Sequence, residues 1–250
     1  MRRIMLASLL ALGACGQPAP PPPLPAPAES AMAPPWFICD GINTPALFVF
    51  ERSGDAVRVA EYDKPNGAIV ARTDYALGPQ EGAAGSVYTT LLSSGAEAGA
   101  IRQINSDMLE TPGAAYTLPF TSVRLGERDI ACRWLPRTRV AGFTGRRSFV
   151  VHEDASGDLI YTTYDFAAAA DAQPIELSEN GRTTTFSVEV RDGSEDLRPD
   201  GADFRFVGQD GYSYVVALSR DGSGQLDVQQ TGETVQSEPL IAFQQGAAAE

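Results

Sequence analysis

A two-residue rhythm constrains this chain more than any other feature. Short runs rich in β-branched and aromatic residues recur between turn-forming clusters. They include Leu47-Phe48-Val49-Phe50, Val57-Arg58-Val59-Ala60, Thr185-Phe186-Ser187-Val188-Glu189-Val190, Phe204-Arg205-Phe206 and Tyr212-Ser213-Tyr214-Val215-Val216. Apolar–polar alternation at period two marks strands buried on one face. Gln209-Asp210-Gly211 and Asp221-Gly222-Ser223-Gly224 fall between such runs as turn signals. The only stretch with a helical look is Ala98 to Leu109. The pattern predicts an antiparallel all-β protein of about 13 to 16 short strands, arranged as two small barrel or sandwich units.

Two units are expected because pieces of sequence return. Phe48-Val49, Ser53-Gly54-Asp55 and Tyr62-Asp63 come back as Phe149-Val150, Ser156-Gly157-Asp158 and Tyr164-Asp165, and Gly113 with Tyr116 as Gly211 with Tyr214. Duplication and chance both account for this, since Ser-Gly-Asp is a common turn. A first β unit is expected over residues 36–134, a linker over 135–147 and a second β unit over 148–245. Charge divides the same way. Residues 36–152 carry 12 acidic and 12 basic side chains, whereas residues 153–250 carry 19 acidic and 5 basic, a balance of −14.

Ahead of the strands lies a segment of another kind. Met1-Arg2-Arg3 precedes an apolar run from Ile4 to Ala14, then Cys15. A basic start and a short apolar core make an export signal, too short for a membrane span of about 20 residues. Leu12-Gly13-Ala14-Cys15 resembles the bacterial lipobox. The resemblance implies cleavage of residues 1–14, acylation of Cys15 and anchoring through several acyl chains. Gly16 stands where that family's inner-membrane retention signal would place Asp, which implies the outer membrane, facing the periplasm. Residues 15–35 then form the lipidated end and a stalk holding Pro18, Pro20 to Pro23, Pro25, Pro27, Pro34 and Pro35.

With Cys15 assigned to lipid, Cys39 and Cys132 remain, and two cysteines in an oxidising compartment are expected to pair. The stretch Ile130 to His152 holds no acid but has Arg133, Arg137, Arg139, Arg146 and Arg147. Two readings stand: this strip docks on the acidic half, or it is an anion or partner surface. A net charge of −13 argues against binding nucleic acid.

Catalytic motifs do not surface. No Gly-x-Ser-x-Gly, Ser-x-x-Lys, His-Glu-x-x-His or Walker loop occurs, and the chain has one histidine, His152, and one lysine, Lys64. His152 reads as a strand end rather than a base. Asp154, Ser156 and Asp158, and Asp221, Ser223 and Asp227, read as turns rather than calcium ligands. No metal or cofactor is expected.

Residues 36–134 also resemble the small β-barrel lipoproteins that inhibit C-type lysozymes. Phe37-Ile38-Cys39-Asp40-Gly41 is similar to their aromatic-x-Cys start, Cys132-Arg133 to their disulfide-bonded end, and Gly85-Ser86-Val87-Tyr88 to their inhibitory loop. That family's Trp-x-Lys-Gly stretch has no counterpart, and Lys64 lies before the loop. The expectation is a non-catalytic, membrane-anchored envelope lipoprotein binding an envelope protein or glycan. The alternatives are an inhibitor of the lysozyme-inhibitor type and a cell-wall or glycan hydrolase.

Overall fold

Ala46 to Phe50 are buried without a break. Alternation along this strand sends Ala46, Phe48 and Phe50 into one core and Leu47 and Val49 into another. A strand buried on both faces reads as a continuous apolar run, so it needs packed material on each side. The computed structural model supplies both layers. It describes residues 34–109, 111, 113–167 and 186–246, and the described residues belong to one compact unit.

The first sheet is an eight-stranded antiparallel meander. Its strands are β1 (Phe37–Asp40), β2 (Ala46–Ser53), β3 (Ala56–Asp63), β4 (Ala68–Ala83), β5 (Ser86–Ser93), β6 (Ala96–Ile104), β7 (Phe120–Leu125) and β8 (Arg128–Ala131). Each pairs with its neighbour in sequence. The ends of the meander meet where Gly41 bridges Cys132 and Ile42 N–H donates to the Ala131 carbonyl at 2.9 Å. The Cys39–Cys132 disulfide closes the same place covalently, with Cα atoms 4.8 Å apart. Inside, Phe37 stacks on Phe50 and Phe120 at 4.1 and 4.0 Å, with Leu91, Ile101 and Val123 packed around them.

The second sheet has nine strands. They are β9 (Thr138–Phe143), β10 (Arg147–Glu153), β11 (Leu159–Asp165), β12 (Val188–Arg198), β13 (Gly201–Val207), β14 (Tyr212–Ser219), β15 (Gly224–Gln230), β16 (Glu233–Pro239) and β17 (Ala242–Gln245). β9 to β16 form another meander, and β17 returns to pair with β9. Its core gathers Phe149, Tyr161, Phe204, Phe206, Val216 and Leu226. The two sheets curl into one nearly closed barrel and one half-barrel. A third cluster joins them: Leu47, Val49, Ala60 and Tyr62 pack against Phe143, Phe166 and Ala242.

The returning sequence pieces occupy matching places. Phe48-Val49 lies on β2 and Phe149-Val150 on β10, each the second strand of its meander. The two Ser-Gly-Asp tripeptides lie at the following turns, where Gly54 and Gly157 take φ of +62° and +90°, a region open to glycine. Tyr62-Asp63 and Tyr164-Asp165 end the third strands. Gly113 with Tyr116 and Gly211 with Tyr214 do not match: Tyr116 lies in a loop and Tyr214 in a strand.

Three expectations need correction. Ala98 to Leu109 is not a helix. Its first part is β6, followed by a short 3-10 turn at Ser106–Met108. Tertiary pairing overrides local preference here: β6 is hydrogen-bonded on both sides, and a side chain at Gly99 would meet the Arg124 carbonyl. Residues 135–147 are not a linker throughout, because Thr138–Phe143 is β9 and its Val140 and Phe143 are fully buried. Seventeen strands are seen among the described residues, because the last run breaks at Leu240-Ile241 into β16 and β17. The signal segment, Cys15 and the stalk up to residue 33 lie outside the described residues.

Candidate functional site

Where the two sheets meet, the chain buries charge. Asp40 ends β1, next to the disulfide, and its side chain is nearly inaccessible. Its Oδ1 lies 2.6 Å from Lys64 Nζ, and its Oδ2 takes Arg133 Nε at 2.9 Å and the Ser148 hydroxyl at 2.7 Å. Lys64 Nζ also donates to the Gly41 carbonyl. Burial alone would raise the Asp40 pKa; the neighbouring Lys64 and Arg133 charges, with hydrogen bonds from Lys64 and Ser148, outweigh it and hold the carboxyl well below its usual range. Arg133 then spans to the second sheet, its guanidinium carbon 3.3 Å from the centre of the Tyr164 ring on β11. One carboxylate thus gathers Lys64 and Arg133 from the first half and Ser148 from the second.

The five arginines of the basic strip have separate tasks. Arg133 belongs to this clamp. Arg139, on β9, pairs with Glu153 at 2.8 Å and Glu195 at 2.6 Å. Arg147, on β10, pairs with buried Glu238 at 3.1 Å, and Glu238 also accepts from Thr144 and Gln236. Arg137 takes positive φ, and its backbone joins Ala114 to Glu153. The Arg146 carbonyl accepts from Phe166 N–H at 2.9 Å. Arg139 and Arg147 do meet acids of the C-terminal half, but from strands of the same sheet.

Beside the seam lies an open cleft of about 590 Å³, walled on one side by segments flanking the first sheet and on the other by the second sheet. Trp36, Tyr116, Thr117 and Leu118 line one side, and Ser219 to Gly222 with Phe243, Gln244 and Gln245 line the other. Hydrogen bonds fix the walls. Tyr116 OH donates to Glu153 Oε2 at 2.9 Å, and Gln244 Oε1 accepts Ile38 N–H at 3.2 Å. Thr117 Oγ1 accepts from Trp134 Nε1 at 3.1 Å. Pro34 and Pro35, the end of the Pro-rich stretch, form one lip.

Other sequence candidates are placed elsewhere. His152 lies on β10, and burial lowers its pKa, with Glu189, Arg191 and Asp154 as charged neighbours. Asp154 Oδ1 accepts Ser156 and Asp158 N–H, and Asp221 Oδ1 accepts Ser223 N–H and its hydroxyl. These carboxylates serve turns. In the loop-like Gly85-Ser86-Val87-Tyr88, Ser86 is buried at the start of β5 and accepts from Arg102 Nε at 3.1 Å.

Sequence reasoning missed Asp40, Ser148 and Tyr164 as a clamp, and all of the cleft. A signal existed for one member. The chain has a single lysine among many arginines, and the structure places it directly after β3.

No protein-family model matches the chain, and no curated protein matches it. Among solved structures it is similar to the WD40 domain of SCAP from fission yeast, at 9% identity and a TM-score of 0.17. The match covers 82% of this chain and 55% of that one, so the chain spans little more than half of its length. A likeness of that size carries no argument about function.

Proposed function

We propose that this protein is a lipid-anchored envelope lipoprotein, facing the periplasm from the outer membrane, that binds a neutral glycan strand in the cleft without chemically altering it. The cleft lining carries this reading. Trp36, Tyr116 and Phe243 offer aromatic surface, while Thr117, Ser219, Gln244 and Gln245 offer neutral hydrogen-bonding groups. Aromatic surface interleaved with polar side chains offers a sugar ring both stacking and hydrogen bonds, and the volume is in the range of small-ligand sites. The lipobox-like residues ahead of Cys15 support the anchor, and the stalk would end at the cleft's lip. The ion-paired settings of Glu153, Glu195 and Glu238 support a role without turnover.

Two measurements test the proposal. Cys15→Ala should abolish labelling by a palmitate analogue and release the protein from membranes; unchanged labelling would refute the anchor. The full chain carrying that substitution should bind soluble cell-wall glycan fragments in calorimetry. Ser219→Ala with Gln245→Ala, both on the cleft wall, should weaken binding about tenfold, the worth of one or two hydrogen bonds. Binding that ignores both substitutions moves the site elsewhere; no binding to any fragment removes the glycan.

A further inference from the structure

β4 is twice as long as the strands beside it, with 16 residues against eight in both β3 and β5. It pairs with β3 from Ala68 to Ala76, but with β5 only from Ala76 onward. Ala68 to Tyr75 therefore has β3 on one side and no strand on the other among the described residues. Residues 68–74 are all exposed, Val70 at 63% and Ile69 at 40%. An edge of this kind presents unpaired backbone N–H and C=O groups, and proteins blunt it with brevity, proline, bulges and charged side chains. From Ala68 to Tyr75 this edge is long and has no proline or lysine; its bulge falls at one end, at Val70, and its two charges, Arg72 and Asp74, are of opposite sign.

Two features bound its regular part. The register with β3 shifts between Ile69 and Ala71, so Val70 is an extra residue at one end. Pairing with β5 begins at Ala76 at the other. Between them runs Ala71-Arg72-Thr73-Asp74-Tyr75, centred on Thr73. We propose that this edge pairs antiparallel with the same edge of a second copy, Thr73 opposite Thr73. That register sets Arg72 of each copy opposite Asp74 of the other, twice by symmetry, and opposite charges directly across an antiparallel pair are favourable. Asp74 already holds Arg58 Nε of its own β3 at 2.9 Å, so the partner's Arg72 would continue a row of alternating charge. No like charges face each other. Five residues per copy make a small contact, weaker than a standard interface, and tethering copies to one membrane raises their effective concentration.

The test is cysteine crosslinking of the full chain in intact cells under mild oxidant. Thr73→Cys should yield a covalent dimer, because directly opposed Cβ atoms lie about 4.5–5.5 Å apart. Arg72→Cys and Asp74→Cys should each fail alone and crosslink when co-expressed. In the Thr73→Cys chain, adding Arg72→Asp should cut the dimer severalfold, and co-expressing it with a chain carrying Thr73→Cys and Asp74→Arg should restore it. All these positions are exposed, so folding is not at stake. A Thr73→Cys yield no higher than that of Ser156→Cys in a distant exposed turn would overturn the proposal. So would equal yields at positions 72, 73 and 74 alone, which mark random collision. Neither result bears on the cleft or its glycan.

Discussion

The two halves share a strand order and differ in how they hold it. The first half has an apolar interior, balanced charge and a disulfide where β1 meets the end of β8. The second half carries an excess of acid, no cysteine, and shielded ion pairs within its own sheet, Arg139 with Glu153 and Glu195 and Arg147 with Glu238, whereas the first half shields Asp40 and Lys64 at the seam. The second half also buries the Tyr161 hydroxyl, whose pKa burial pushes up. The difference follows the path of the chain. In the second half β16 runs through two residues into β17, so one stretch is hydrogen-bonded to β15 at its start and to β9 at its end. In the first half the chain leaves after β8, and the seam is held by a short bridge and a covalent bond. A meander's ends can be secured by chain continuity or by chemistry, and this protein uses each once.

The sharpest way to break the comparison is to remove the covalent closure. Cys39→Ala with Cys132→Ala frees ends 93 residues apart, which on chain entropy costs about 4–5 kcal/mol. Hydrogen exchange should then show lost protection in β1 to β8 and retained protection in β12 to β16. Equal loss in both halves would show that they unfold as one body.

Asp40→Ala comes next, at about 3 kcal/mol, because it leaves Lys64 and Arg133 buried without their carboxylate. The denaturant midpoint should fall, and both halves should lose protection together, since Ser148 and Arg133 stand on opposite sides of the seam. The wild-type contribution has a defined pH window. The folded pKa of Asp40 lies below its ordinary 3.8, so the stabilisation is complete above about pH 5 and is lost as pH falls through the folded value. If Asp40→Ala denatures like wild type at pH 7, the clamp does not couple the halves.

The smallest effect sharpens the contrast within the second half. His152 is held neutral by burial, its pKa below the ordinary 6.5. As pH drops below about 6.5 the unfolded chain takes up a proton that the folded chain resists, so stability should decline. His152→Gln should flatten the part of the denaturation midpoint's fall between pH 7.5 and 5.5 that the imidazole causes. An unchanged slope would assign that fall to other groups.

Much of this was legible in the residues. Alternation in Phe204-Arg205-Phe206 places Phe204 and Phe206 inside and Arg205 outside, as observed, because side chains on a strand alternate faces whatever the fold. Cys39 and Cys132 could be paired once the lipobox resemblance set Cys15 aside, and the bridge between them is observed. Ala98 to Ile104 could not be read, since alanine-rich sequence suits a helix until two strands claim its backbone. The clamp was hidden for a related reason. Asp40, Lys64, Arg133, Ser148 and Tyr164 spread over 125 positions, and no spacing rule links them. The cleft is harder still, because its two walls come from the N-terminal half and from the end of β14, the turn after it, and β17.

By itself, then, the sequence determined what is local: strands, turns, the disulfide pair and the uneven charge. Each depends on neighbours within a few residues or on a shortage of alternatives. The tertiary structure decided which face of β2 meets which core, which acid each arginine pairs with, and that Leu240-Ile241 splits the final run so that β17 returns to β9. Those outcomes depend on what stands across a gap of several ångströms, and packing brings together residues that chain order keeps apart.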